Sequence, residues 1–315
     1  MLGDIDSPTL PFGIQDVHLD GSKASEAHRP LSPLLNQRLR NQAKRLGVTL
    51  ASLCHLAWAQ VLAKASGQSS VVFGTVLIGR LQAGKNAQAT LGLFINTLPI
   101  RLNIDATSVR DSLLNTHRSL SALLDHEHAS LALAQRCSAL PASTPLFSAL
   151  LNYRHNAAIE DVDISLPGLQ VMQPEERTNY PIVLSVEDGA DSLGLTAQSI
   201  ASIAPERLCN LMETALIALC TALEQDPSKA IAQLDILPPD ERALTLETFN
   251  QTAADYDLSQ TVMDLIEARA ARSPDALALS AEDAQLSYAQ LDAAANRLAD
   301  DDRRGHGAGQ DIRDR

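Results

Sequence analysis

Ser70-Val71-Val72-Phe73-Gly74-Thr75-Val76-Leu77-Ile78 decides how this chain reads. The run is rich in β-branched residues, nearly all apolar and free of charge. A strand with one wet face alternates apolar and polar residues. This one does not, so it reads as a strand covered on both faces. Two helical patterns precede it. Ser32-Pro33 supplies a capping hydroxyl and a proline suited to a first helical turn. Leu34, Leu35, Leu39 and Leu46 follow near helical spacing and Gly47 stops them. Thr49 can cap a second helix carrying Leu50, Leu53, Leu56, Val61 and Leu62, which ends near Gly67.

Downstream the interleaving continues. Thr97–Ile104 reads as a strand. Ser108, with Asp111 three residues on, reads as a helix start. That helix carries Val109, Leu113, Leu114, Leu120 and Leu123 and fades near His126. Short strands are expected at Phe147–Tyr153, Leu169–Met172, Pro181–Val186 and Leu193–Gln198. A long helix is expected from Pro205, with Leu208, Leu211, Met212, Leu216, Leu219 and Leu223 on one side. Strands and helices that alternate in this way indicate a mixed α/β fold.

The ends read differently. Residues 1–30 are rich in Pro, Gly and Asp and look like a connection rather than the start of a domain. Ile236-Leu237-Pro238-Pro239-Asp240 breaks the apolar pattern, and 237–259 reads as a linker. A short second unit, 260–315, holds the helix Val262–Arg272, the strand Ala276–Ser280 and a helix over Ala289–Leu298. Its final stretch is almost devoid of apolar residues. About 55 residues lie near the lower limit for a core without staples.

Composition excludes several classes. The 315 residues carry 38 acidic and 25 basic side chains, a formal net charge of -13. A general nucleic-acid binder needs the opposite sign to displace condensed counterions. The 45% hydrophobic content supports a sizeable core. Cys54, Cys137, Cys209 and Cys220 form no CxxC pair and no zinc-ligand spacing. Cys54, Cys209 and Cys220 sit in apolar helical patterns, as small buried hydrophobes do. No basic-then-apolar leader opens the chain and no run approaches the ~18 apolar residues of a membrane span. The expectation is a reduced, cytoplasmic setting without nucleic-acid or membrane partners.

The chemistry-bearing motifs are sparse. There is no GxxxxGK[ST] loop, no GxGxxG after a strand and no GxSxG elbow. Gly305-His306-Gly307-Ala308-Gly309 is Gly-rich but lies in the polar tail. His126 and His128 would diverge on a helix and not share a metal. None of the eight histidines has Asp four residues later, as an HxxxD acyl-transfer base would. His155 comes nearest, with Glu160 and Asp161 further on. Arg80, Arg101 and Arg154 border apolar strands. Each is either paired structurally or free to clamp an anion.

Several whole words resemble nonribosomal peptide synthetases. Val72-Phe-Gly-Thr-Val76, continuing through Ile78-Gly79-Arg80, resembles the strand and floor loop of condensation domains. Leu91-Gly-Leu-Phe-Ile-Asn-Thr-Leu-Pro-Ile-Arg101 is similar to the family's (I/V)GxF(V/I)NTLPxR word. His126-Glu-His-Ala-Ser-Leu-Ala-Leu133, Pro145-Leu-Phe147 with Leu151-Asn-Tyr-Arg154, and Thr178-Asn-Tyr-Pro181 with Leu184-Ser-Val186 resemble later words in the same order. Leu286-Ser-Tyr-Ala-Gln-Leu291 and Ala295-Asn-Arg-Leu298 resemble the first motif of adenylation domains, and Val262–Asp275 the helix before it.

The resemblance implies a chloramphenicol-acetyltransferase-like (CoA-dependent acyltransferase) lobe, α/β with a mixed sheet and flanking helices. An incomplete adenylation N-terminus would follow. The implied order is 1–30, a connection from a missing N-terminal lobe; 31–236, the C-terminal condensation lobe; 237–259, linker; 260–315, truncated adenylation start. The implied function is condensation between carrier-bound aminoacyl or peptidyl thioesters in secondary-metabolite peptide biosynthesis. The family's catalytic HHxxxDG motif has no counterpart here, so the fragment is expected to be inactive alone. Asn96, Arg80, Asn152, Tyr153 and Arg154 are the implied tunnel or carrier-arm residues, with no catalytic or metal-binding residue. No cofactor is expected on this chain. Phosphopantetheine belongs to the carrier domains, and ATP with Mg to the rest of the adenylation domain. The implied partners are carrier domains and the N-terminal lobe. Two other readings stay open: a non-catalytic docking module for those partners, and a free-standing acyltransferase using His155.

Overall fold

Ser32 Oγ accepts the backbone N–H of Leu35 at 3.2 Å, and Pro33 follows at the first helical position. These two residues start α1 (Pro33–Leu46), which ends at Gly47 with φ of 65°. A side chain there would meet the left-handed penalty that glycine avoids. Thr49 Oγ1 caps α2 (Leu50–Ser66) on Ser52 N–H in the same way. The computed structural model describes residues 2–14, 24–78, 94–141, 143–155, 178–200, 202–255, 259–281 and 284–305.

The chain divides into two units, Met1–Leu246 and Glu247–Arg315. In the first, β1 (Ala24–Pro30), β2 (Ser70–Ile78), β3 (Ile95–Asn103), β4 (Ala149–His155), β5 (Ile182–Asp188) and β6 (Leu193–Ile200) form one sheet. Their order is β1-β6-β5-β4-β2-β3. β2, β4 and β5 run parallel and the remaining pairs antiparallel, so the sheet is mixed. The expected strand Leu169–Met172 lies outside the described residues.

α1, α2, α3 (Val109–Leu124) and α5 (Pro205–Gln225) contribute to one apolar core with one face of this sheet. α2 is the innermost. Leu53, Cys54, Ala57, Trp58 and Val61 are all buried, as are Phe73, Leu151 and Leu184 of the strands. Cys209 and Cys220 are also buried, on α5. A smaller apolar cluster, including Ile5, Val72, Phe147, Leu150 and Val183, covers part of the opposite face. No single described helix is long and apolar enough to cross a membrane.

Two expectations about the edges need correction. Residues 24–30 are not a bare connection. They pair along their whole length with β6, and Ile5 and Thr9 are buried. An edge strand needs one packed face only, so it lacks the apolar density by which a central strand is read. Within 237–259, residues Pro239–Leu246 form α6 rather than open linker. Proline at the first position and Asp240 and Glu241 in the first turn favour that helix end electrostatically. Glu241 also pairs with Arg207 of α5.

Between α3 and β4 lies the short α4 (Leu131–Arg136), capped by Ser130. The second unit holds α7 (Val262–Arg272), the hairpin β7 (Leu277–Ser280) and β8 (Gln285–Ser287), and α8 (Tyr288–Gly305). Thr261 and Asp264 form a reciprocal capping box at the start of α7. Val262, Met263, Leu265, Leu277 and Leu279 are exposed, while Ala270 is buried.

Candidate functional site

Parallel strands end on the same side, and the crevice outside their carboxyl ends is the usual ligand position in α/β sheets. Here β2, β4 and β5 end at Ile78, His155 and Asp188. A cleft of about 1050 Å³ opens there. Its walls come from those strand ends, the α1–α2 turn and α3, with Val48, Leu50, Leu77, Leu120 and Leu124 as apolar lining.

Asp188 is the polar centre. It is the last residue of β5 and only 3% exposed. Tyr153 Oη donates to its Oδ2 at 2.6 Å, His155 Nδ1 contacts the same oxygen at 2.8 Å, and Arg40 Nη2 donates to Oδ1 at 2.5 Å. Burial pushes this carboxyl up, but the hydrogen bonds from Tyr153, His155 and Arg40 outweigh it and hold it below the usual carboxylate value. An ionised carboxylate only accepts, so His155 carries its proton on Nδ1. Burial raises the Tyr153 phenol far above its ordinary value, which keeps it a donor. Asn36 Oδ1 in turn accepts from Arg40 Nε at 2.8 Å and orients the guanidinium.

Two further imidazoles flank the cleft. His55 Nδ1 donates to the Ala51 carbonyl at 2.7 Å, and its Nε2 meets Thr75 Oγ1 at 2.8 Å. Desolvation lowers the pKa of His55 to about 4, so it is neutral at ordinary pH. His117 Nδ1 contacts Ser52 Oγ at 3.0 Å. Among the described residues no group of three or more His, Cys, Asp or Glu is placed to hold a metal ion.

The residues expected at a tunnel separate. Tyr153 lines the cleft. Asn152 and Arg154 alternate with it along β4 and occupy the other face of the sheet. There Asn152 Oδ1, in the amide orientation that satisfies its neighbours, accepts from Arg154 Nε at 2.9 Å and Nη2 at 3.0 Å. Asn96 has a structural task. Its amide nitrogen donates to the carbonyls of Glu127 at 2.8 Å and Ala129 at 2.7 Å, pinning the α3–α4 connection to β3. Arg101 takes the structural option, bonding Asp4 at 2.6 Å and Ser70 Oγ at 2.8 Å. Arg80 lies outside the described residues.

Sequence reasoning named His155 and missed its partner. The carboxylates that follow it in the chain, Glu160 and Asp161, stand at the wrong spacing for an HxxxD pair and lie outside the described residues. Asp188, Arg40, His55 and Thr75 were also missed. One signal was available for Asp188: it closes the face of the strand that carries Ile182, Leu184 and Val186, and a charge on an apolar face needs a partner.

The condensation-domain family profile matches residues 9–246. Malpinin synthetase of Mortierella alpina is 52% identical over 299 residues, which are 95% of this chain and 4% of that protein. A linear gramicidin synthase of Brevibacillus parabrevis is 28% identical, over 95% of this chain and 6% of that protein. The chain therefore spans a small part of the relatives it matches.

Among solved structures, a four-domain nonribosomal peptide synthetase, holo-AB3403 bound to AMP and glycine, superposes with a TM-score of 0.64. That likeness has 21% identity and covers 98% of this chain and 24% of that one. The condensation domain of the Monacolin K polyketide synthase MokA superposes with a TM-score of 0.55 at 21% identity, covering 74% of this chain and 52% of that one. Such identities speak for the fold, an α/β condensation-domain fold with a mixed sheet. The profile covers more than half of the chain and the two named relatives are a synthetase and a synthase by name, so this chain belongs to the condensation-domain family of nonribosomal peptide synthetases.

Proposed function

We propose that residues 1–246 are one lobe of a condensation site that joins two carrier-bound thioesters, and that the HHxxxDG residues come from a polypeptide segment outside this sequence. The supporting observation is the match to the MokA condensation domain, where the aligned part of this chain accounts for 52% of that domain. This sequence contains no adjacent His pair.

In such a reaction the amine of one aminoacyl group attacks the thioester carbonyl of the other. A C–N bond forms, the C–S bond breaks, and the departing thiolate takes up the proton the amine gives up. Much of the rate comes from holding the two reactants in line. This lobe would contribute position: a rigid sheet, the α3–α4 connection fixed by Asn96, and the cleft at the strand ends. The phosphopantetheine arms are part of the substrates. The sheet face carrying Asn152 and Arg154, opposite the cleft, is our candidate for contact with a carrier-borne arm.

We read residues 247–315 as the start of an adenylation domain. The superposition with holo-AB3403 supports this, because it extends over 98% of the chain. Exposed apolar residues on α7 and β7 supply an unfilled side for further core. ATP and Mg chemistry is assigned to no residue here.

The test uses loaded carrier proteins. The chain alone should give no dipeptidyl product above a carrier-only control. Adding a separately produced N-terminal lobe bearing HHxxxDG should restore product. Product from the chain alone would refute the lobe reading. Co-purification with that lobe but no product would favour the docking-module reading.

A further inference from the structure

β1 ends the sheet, and no described strand pairs with its outer side. Each of its residues is exposed or only half-buried. Its inner side is fully used. Leu31 N–H donates to the Leu193 carbonyl at 2.8 Å, and the register sets Arg29 against Leu195, Ala27 against Ala197 and Ser25 against Ser199. Antiparallel pairs alternate between bonded and non-bonded, so Ser25, Ala27, Arg29 and Leu31 bond to β6. Ala24, Glu26, His28 and Pro30 therefore turn their backbone groups outward. An open edge of this length is a template for another strand.

The outward set is complementary to itself. When a second β1 runs antiparallel about a two-fold axis through Ala27, Glu26 of each copy faces His28 of the other, and Ala24 faces Pro30. Outward residues then meet outward residues, as bonded pairs require. The Glu26–His28 pairs exchange both backbone bonds, and the missing N–H of Pro30 falls at the ends of the ladder. Glu26 and His28 share the sheet face on which Gln198 Nε2 and Thr196 Oγ1 meet them at 2.7 and 3.0 Å, so an acidic side chain lies beside a basic one across the axis. A shift of two residues either way sets Glu26 against Glu26 or His28 against His28. A shift of one sets outward groups against inward ones. On the other face Arg29 bonds Glu213 of α5 at 3.0 Å. Ile217, one helical turn along that flank, is 41% exposed and gives a second copy apolar surface to cover.

We propose that β1 is a self-association edge, on which two copies of this chain join their sheets antiparallel with Ala27 on the two-fold axis.

The test is sedimentation velocity on the full chain over a concentration series reaching about 100 µM, because an interface of one strand pair is small and associates weakly. A dimer should grow in with concentration. Glu26→Lys sets like charges opposite each other at both central pairs and should raise the dimer dissociation constant about tenfold. That side chain is exposed, so the urea transition should stay in place. A chain that is monomeric throughout, or a dimer that Glu26→Lys leaves unchanged, would overturn the proposal. Disulfide trapping fixes the register. The background is Cys137→Ser with Cys209→Ala, which removes the exposed thiol and the one whose Sγ lies 3.7 Å from the Ala27 carbonyl. In it Ala27→Cys should oxidise to a linked dimer, since facing Cα atoms of a non-bonded pair lie about 4.5 Å apart. Glu26→Cys should not, because its counterpart is two residues out of step and beyond the ~7 Å limit. Linkage through Glu26→Cys, or none through Ala27→Cys, would refute this pairing. None of these outcomes bears on the condensation-lobe reading, which the complementation assay with an N-terminal lobe decides.

Discussion

Thr75 on β2 donates its hydroxyl proton to His55 Nε2 on α2 across 2.8 Å, in a position where both residues are buried. The direction is fixed because His55 Nδ1–H is committed to the Ala51 carbonyl. The bond joins the innermost helix to the central parallel strand next to the cleft, and it requires a neutral imidazole.

That requirement sets a pH dependence. His55 has a folded pKa of about 4 against an ordinary 6.5, so the unfolded chain takes up the proton first. Stability should therefore fall as pH drops from 6.5 towards about 4 and level off below, by on the order of 3 kcal/mol. Trp58 is the only tryptophan and is fully buried beside His55 on α2, so its fluorescence reports unfolding of the first unit. Urea midpoints followed by Trp58 should decline across this window. In His55→Gln the decline should be largely absent.

Asp188→Asn should destabilise the first unit by about 2–4 kcal/mol, because three donors then face a weaker acceptor and Arg40 loses its counter-charge. The lowered pKa of Asp188 places its stabilisation above the ordinary 3.8, to be lost as pH falls through the folded value. Wild type should thus show a second acid loss, below the His55 window, that Asp188→Asn lacks. An unchanged urea midpoint at pH 7 would show that Asp188 does not organise the strand ends.

Gly74→Ala should cost about 1–3 kcal/mol through overpacking. A methyl group at that position would fall 2.2 Å from Leu150 Cδ2, 2.7 Å from Phe147 Cε2 and 2.9 Å from Thr97 Cγ2. All three belong to side chains packed over the centre of the sheet. Thermal unfolding of the variant should shift down without any change in the cleft residues.

Asn96 separates a structural role from a substrate contact. Asn96→Ala should lose about 1–3 kcal/mol, since the carbonyls of Glu127 and Ala129 lose their donor. Asn96→Asp should be worse, because a carboxylate offers no N–H and sets negative charge against two carbonyl oxygens. Equal stability of all three proteins in urea would return Asn96 to the candidate substrate contacts.

The local elements were readable because their causes are local. Ser32, Thr49 and Ser108 start helices with their own hydroxyls, and the unbroken apolar run 70–78 became the central strand β2. The alternation rule, applied to β4, would also have separated Tyr153 from Asn152 and Arg154. The edge strand β1 was missed because it presents one packed face only, and α6 because its linker-like prolines double as a helix start. Asn96 was legible as part of a word but not as a clamp, since its acceptors lie 31 and 33 residues away.

By itself, the sequence determined the α/β class, the positions of most helices and strands, and the family, since capping, periodicity and ordered motifs need no partner in space. The tertiary structure alone decided the cleft. Arg40 reaches Asp188 across 148 residues, Tyr153 across 35 and His155 across 33. They meet because β4 and β5, distant in sequence, end side by side and α1 brings Arg40 to that end, and no local spacing encodes that order. Burial then makes the meeting chemically consequential, because a carboxylate removed from water must collect donors and in doing so fixes the tautomer of its histidine.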